Sequence, residues 1–108
     1  MTVHMTNREI CLKAAQRLRE VGWQRGAFGS KDGPHCMLGA CRWATGYHAD
    51  KARLHELQIE AADACASAYA HTHVYCGGFA ADEDVAIAWN DEPGRTVEEV
   101  IATLEACP

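Results

Sequence analysis

The stretch Asp50-Lys51-Ala52-Arg53-Leu54-His55-Glu56-Leu57-Gln58-Ile59-Glu60-Ala61-Ala62-Asp63-Ala64-Cys65-Ala66-Ser67-Ala68-Tyr69 decides the fold. Leu54, Leu57, Ala61, Ala64, Cys65 and Ala68 recur at three- and four-residue spacing, which is the periodicity of one helical face. The many alanines favour helix throughout, and Asp50 has the side chain of an N-cap. A helix from Asp50 to about Tyr69 is predicted, long enough to be the scaffold for shorter elements. A second stripe, Ala52, His55, Ile59, Ala62 and Ala66, lies on another side of it. Another helix or another subunit would cover that stripe. Covering within the chain is the expectation, because a small bundle buries more than one face of a central helix.

Outward from this scaffold, both flanks carry helix signals. Thr6 and Glu9 have capping-box spacing, Met5 is placed to staple against Ile10, and Ile10, Ala14, Leu18 and Val21 form an apolar face flanked by Cys11 and Ala15. Gly22 supplies a stop for this first helix. At the other end, Pro93-Gly94 has the residues of a type II turn. Thr96 and Glu99 repeat the capping box before the stripe Val97, Val100, Ile101 and Leu104. A helix capped by Asp82 through Val85, Ile87 and Trp89 is expected before that turn. Asn90 suits a left-handed helix end, and Asp91 suits a turn or a pairing with Arg95.

Between the first helix and the scaffold, Gly22, Gly26, Gly29 and Gly33 define a glycine-rich loop. Its glycine spacing fits neither a P-loop nor a dinucleotide fingerprint, so Trp23 and Phe28 read as cover for the core. A short helix from Cys36 to Thr45 follows, with Cys36, Ala40 and Trp43 on one face and Gly39 allowing close packing. His71 to Gly78 reads as irregular or briefly extended, with Val74 and Tyr75 suited to a strand.

The fold class is therefore all-α: a compact bundle of four to five helices, one helical domain over residues 1–108. The first, third and last helices form the main bundle, and Trp23, Trp43 and Trp89 close its ends. The length suffices for one real core. A net charge of −5 argues against nucleic-acid binding, which relies on basic surface. Basic residues gather in the first segment and acidic ones in the last, as expected of terminal helices lying side by side; an acidic docking face is the alternative. Without a leader pattern or a spanning apolar run, a soluble cytoplasmic protein with reduced thiols is expected.

Gly22-Trp23, Gly26, Gly33, Cys36, Leu38-Gly39-Ala40 and the Trp89-Asn90-Asp91 to Thr96 segment together resemble a family of small proteins of unknown function from actinobacteria and their phages. The resemblance spans nearly the whole length, and its last element is the most specific. It implies no metal and no reaction, and a phage or prophage source. His71, His73, Cys76 and Cys41 stand outside the family pattern.

Three constellations are candidates for chemistry. His35, Cys36, Cys41, His48, His71, His73 and Cys76 are possible zinc donors, with His71, His73 and Cys76 closest in sequence and Cys36 or His35 as a fourth. The alternative is solvated loop histidines, since no recognised zinc spacing occurs. Cys36, at a helix N-terminus, followed by histidines and Asn90, has the chain order of one class of thiol hydrolases; a small buried cysteine beside Gly39 explains it equally. Asn90, Asp91 and Arg95 form either a turn organiser or an exposed binding cluster. With no coherent catalytic set, the expected function is a non-enzymatic accessory protein, monomeric or homodimeric, without cofactor or membrane contact. It would engage an unidentified protein partner, a host protein if the chain is phage-encoded. A zinc-stabilised domain and a Cys36 hydrolase are the alternatives.

Overall fold

A computed structural model describes residues 5–27, 29, 32–46, 50–73 and 83–108. Among these lie five α-helices: α1 (Asn7–Val21), α2 (Met37–Ala44), α3 (Leu54–Thr72), α4 (Glu83–Asp91) and α5 (Val97–Glu105). A 3-10 turn, Lys51–Arg53, precedes α3. The all-α reading stands. The proposed Asp82 cap, Phe28, and the Val74 and Tyr75 extension lie outside the described residues.

Both capping boxes form. Thr6 Oγ1 accepts from the Glu9 amide while Glu9 accepts from the Thr6 amide, and Thr96 and Glu99 repeat the exchange at α5. Each box satisfies donors that a helix start leaves open. Gly22 ends α1 with φ 94° and gives its amide to Leu18 O. The scaffold helix begins differently from the expectation. Asp50 makes no side-chain cap; the entry is a 3-10 turn, and Arg53 ties the first turns by pairing with Glu56 and Glu60. This helix also runs on to Thr72, whose hydroxyl bonds back to Ala68 O and Tyr69 O.

One buried cluster joins the elements. Ile10, Ala14 and Leu18 of α1 meet Leu38 and Ala40 of α2, Ala61, Ala64 and Ala68 of α3, and Val100 and Leu104 of α5. Helix α1 packs on α2, α3 and α5, so α2 belongs to the main bundle as fully as the helices predicted to form it. Small residues along α1 and α3 let these helices approach closely; Cys11 Sγ reaches Ala64 O at 3.4 Å. The three tryptophans pack against this core half-buried.

The charge asymmetry becomes a contact: α1 lies against α5, and Arg19 pairs with Glu105 at 2.9 Å. Both partners are substantially exposed, so the pair contributes on the order of 0–1 kcal/mol. Burial of Leu104 alone contributes more, about 1.5–3 kcal/mol. The second stripe of α3 is corrected: Ala52 and His55 are exposed, Ile59 retains 56% of its surface, and Ala62 and Ala66 are half-buried. The other helices converge on the opposite side, leaving Ile59 facing outward.

The capping carboxylates link stability to pH. The Thr6 amide, then its hydroxyl, holds Glu9 below the ordinary 4.5, and Arg95, then the Thr96 amide, does the same for Glu99. A pKa depressed by folding gives stability that is fully present above 4.5 and lost as pH falls through the lower folded values. Urea unfolding should show the midpoint dropping below that pH, and dropping less in a Glu9→Gln, Glu99→Gln double variant.

Candidate functional site

Asn90 and Asp91 of the Trp-Asn-Asp motif meet the glycine-rich loop and the start of α2. The loop closes on itself: Gln24 N donates to His35 O at 3.0 Å and His35 N to Gly22 O at 3.2 Å, pairing Trp23 with His35. Gly29, with φ 91°, allows this return, because a Cβ there would stand 1.9 Å from Pro34 O. Two polar groups of the loop and the first amide of α2 then need a partner away from water.

Asn90 supplies it. Its side chain has no exposed surface, and Oδ1 accepts from Trp23 Nε1 at 2.7 Å and from the Met37 amide at 3.0 Å. Nδ2 donates to Gln24 O at 3.3 Å and to Asp91 Oδ1 at 3.0 Å. Two acceptor sites and two donors are the full capacity of a carboxamide, and all four are used. Asp91 Oδ1 also accepts from the Gly26 amide at 2.9 Å. The expected left-handed helix end at Asn90 is corrected. It lies inside α4, and no described non-glycine residue has positive φ.

Arg95 sits beside this hub. The Glu92–Arg95 turn closes through Arg95 N to Glu92 O at 3.1 Å, with Gly94 at φ 86° in the third position as a type II turn requires. Arg95 stacks on Trp89 with its guanidinium carbon 4.2 Å from the ring centre, and Nε donates to Trp89 O at 3.0 Å. It pairs with Glu99 at 2.7 Å and with Glu92, not with Asp91. The exposed cluster is thus corrected: Asn90 is buried, and Arg95 is largely covered by its own contacts.

Cys36 is the N-cap of α2, and its Sγ accepts from the Gly39 amide at 3.3 Å. This explains a cysteine three residues before a glycine. Burial pushes its thiol pKa up, and the Gly39 bond offsets that only in part. Cys36 borders a cleft of about 140 Å³ with Gly26, Ala27, Ile87 and Asp91. That is below the roughly 300–1,000 Å³ usual for small-molecule sites. His35, also buried, accepts from Arg17 Nε at Nε2, and Arg17 lies 4.3 Å over Trp43.

Of the zinc candidates, the described ones lie in several places. His71 is exposed near the end of α3, while His73 stacks on Tyr69 at 4.1 Å and meets Trp89 edge-on at 5.1 Å. Cys36 caps α2, Cys41 lies in the core, and Cys76 and His48 fall outside the described residues. Among the described residues, no three or more His, Cys, Asp or Glu side chains group as a metal site. Sequence reasoning missed a set of core thiols, Cys11, Cys41, Cys65 and Cys107. For Cys11, Cys41 and Cys65 the signal was the helical phase of each; Cys107, after α5, offered none.

Removing the Asn90 carboxamide strands the buried Met37 amide and the Trp23 indole. Asn90→Ala should cost about 2–3 kcal/mol in urea unfolding and shift the tryptophan emission. In the folded protein, Cys36 should react with iodoacetamide near neutral pH roughly tenfold or more slowly than in urea, measured by peptide mapping.

Comparison with curated proteins and with solved structures gives no match. A family model does match, and over residues 2–107: the chain belongs to a family of unknown function (DUF6197).

Proposed function

We propose that the chain is a non-enzymatic interaction protein that engages another protein through the outer face of α3. The observation that carries this reading is the contrast between the motif and that face. The polar groups of Asn90, Asp91 and Arg95 bond to the chain's own backbone and side chains, and Cys36 caps a helix. The outward side of α3 presents Ile59 at 56% exposure, with exposed His55 one turn before it. A large apolar side chain left exposed on one helical face suits docking against a complementary groove or helix. No described helix is long and apolar enough to cross a membrane. A cytoplasmic setting, and a host protein as partner of a phage-encoded chain, complete the proposal.

Ile59→Asp places a charge on that face without touching the core. Size-exclusion light scattering should find a monomer, and affinity capture from host lysate should recover a saturable partner with wild type that the variant loses at unchanged Tm. Absence of a saturable partner would sink the interaction reading. Equal capture by the variant would remove the α3 face.

A further inference from the structure

Three separate parts of the chain bound the cleft beside Cys36. Gly26 and Ala27 come from the glycine-rich loop, Cys36 from the cap of α2, and Ile87 and Asp91, one turn apart, from α4. Ala27 and Ile87 give it apolar walls, and the Cys36 thiol is engaged with the Gly39 amide. Asp91 brings the charge. Its Oδ1 already accepts from the Gly26 amide at 2.9 Å and from Asn90 Nδ2 at 3.0 Å. Its Oδ2 accepts no bond among the described residues, and Asp91 joins none of their ion pairs. The neighbouring cations are held elsewhere. Arg25 Nη1 donates to Glu92 O at 3.2 Å with its guanidinium 5.9 Å over Trp23, and Arg95 pairs with Glu92 and Glu99. A fixed carboxylate with one oxygen open thus lines an otherwise apolar cleft.

Size and geometry narrow what can enter. The volume of about 140 Å³ is close to the roughly 150 Å³ of a cavity that holds one benzene molecule, so about six non-hydrogen atoms fit. A lysine side chain is of that size, an apolar four-carbon stem ending in one compact cation. Arginine is larger, and its planar fork draws its strength from both oxygens of a carboxylate. Here two donors already occupy Oδ1, which leaves a contact at a single oxygen. We propose that the cleft receives a lysine side chain from another polypeptide, its stem against Ala27 and Ile87 and its ammonium donating to Asp91 Oδ2. An uncharged stem of the same length would fill the same walls and leave that oxygen without its cation. None of the described residues that line the cleft belongs to α3, so this site goes beyond the α3 docking face and stands or fails apart from it.

The test follows the backbone amide NMR signals of the folded full chain during titration with N-acetyl-lysine N-methylamide at neutral pH. Saturable shifts are expected at Gly26, Ile87 and Asp91, with binding that weakens as salt is raised. The norleucine and arginine analogues should bind wild type roughly tenfold or more weakly, and Asp91→Asn should weaken the lysine compound to the same degree. Asparagine keeps an oxygen for the Gly26 amide and the Asn90 carboxamide, so its Tm should be unchanged. Absence of saturable shifts at these three residues would overturn the site. Equal binding of the norleucine analogue, or by folded Asp91→Asn, would remove the ammonium contact, and equal binding of the arginine analogue would refute the single-oxygen geometry. Tighter binding of putrescine would assign the cleft to a free diamine instead. The wild-type titrations decide this even if the variant folds poorly.

Discussion

One carboxamide holds three backbone segments in place. Asn90 joins the Trp23 indole, the Gln24 carbonyl and the first amide of α2 to the last turn of α4. Each of these groups would be costly to bury alone, and an amide is the side chain that offers two acceptor sites and two donors from one planar group. Aspartate at position 90 would lose the donors and bring a second carboxylate against Asp91. Leucine would leave the indole and the amide unmatched. The position of the glycine-rich loop, the start of α2 and the cleft beside Cys36 all follow from this one contact set.

Around that hub, residues of a kind found in active sites serve construction. A helix-capping thiol, an arginine stacked on tryptophan and closing a turn, and a buried histidine accepting from an arginine all satisfy local backbone or ring geometry. A strongly patterned motif can thus arise from folding requirements alone. Trp89, Asn90, Asp91, Pro93, Gly94, Arg95 and Thr96 each have a structural reason for their place. The outer side of α3 has no such internal explanation among the described residues, which is why a functional reading turns to it.

What could be read from sequence divides along the range of the interaction. Thr6 with Glu9, Thr96 with Glu99, Pro93-Gly94 and the α1 stripe are local devices whose residues lie within a turn or two of each other, and they formed as expected. The role of Asn90 was not legible, because three of its four partners stand more than fifty residues away. The Asp50 cap failed because a neighbouring arginine with two glutamates organised the entry to α3 instead. Periodicity found both stripes of α3 but could not say which neighbours would reach them. Cys11 and Cys65 read as small residues on apolar stripes, whereas the burial of Cys41 and Cys107 in the same core follows only from the packing of distant segments.

The pairing of α1 with α5 also bears on how the chain is made. Helix α1 carries a capping box and an apolar stripe, yet part of the surface it covers is presented by the helix emerging about eighty residues later. At about 5–20 residues per second of synthesis, α1 waits several seconds with that face unsatisfied. Its nearer partner α2 arrives first, so a partial α1 and α2 hairpin is the natural early assembly, with α5 closing the bundle last. The long sequence separation of this final contact raises contact order and places its loop-closure cost at the end of folding. A cell making this protein therefore carries a first helix whose α5-facing side stays open to chaperones until α5 has been made.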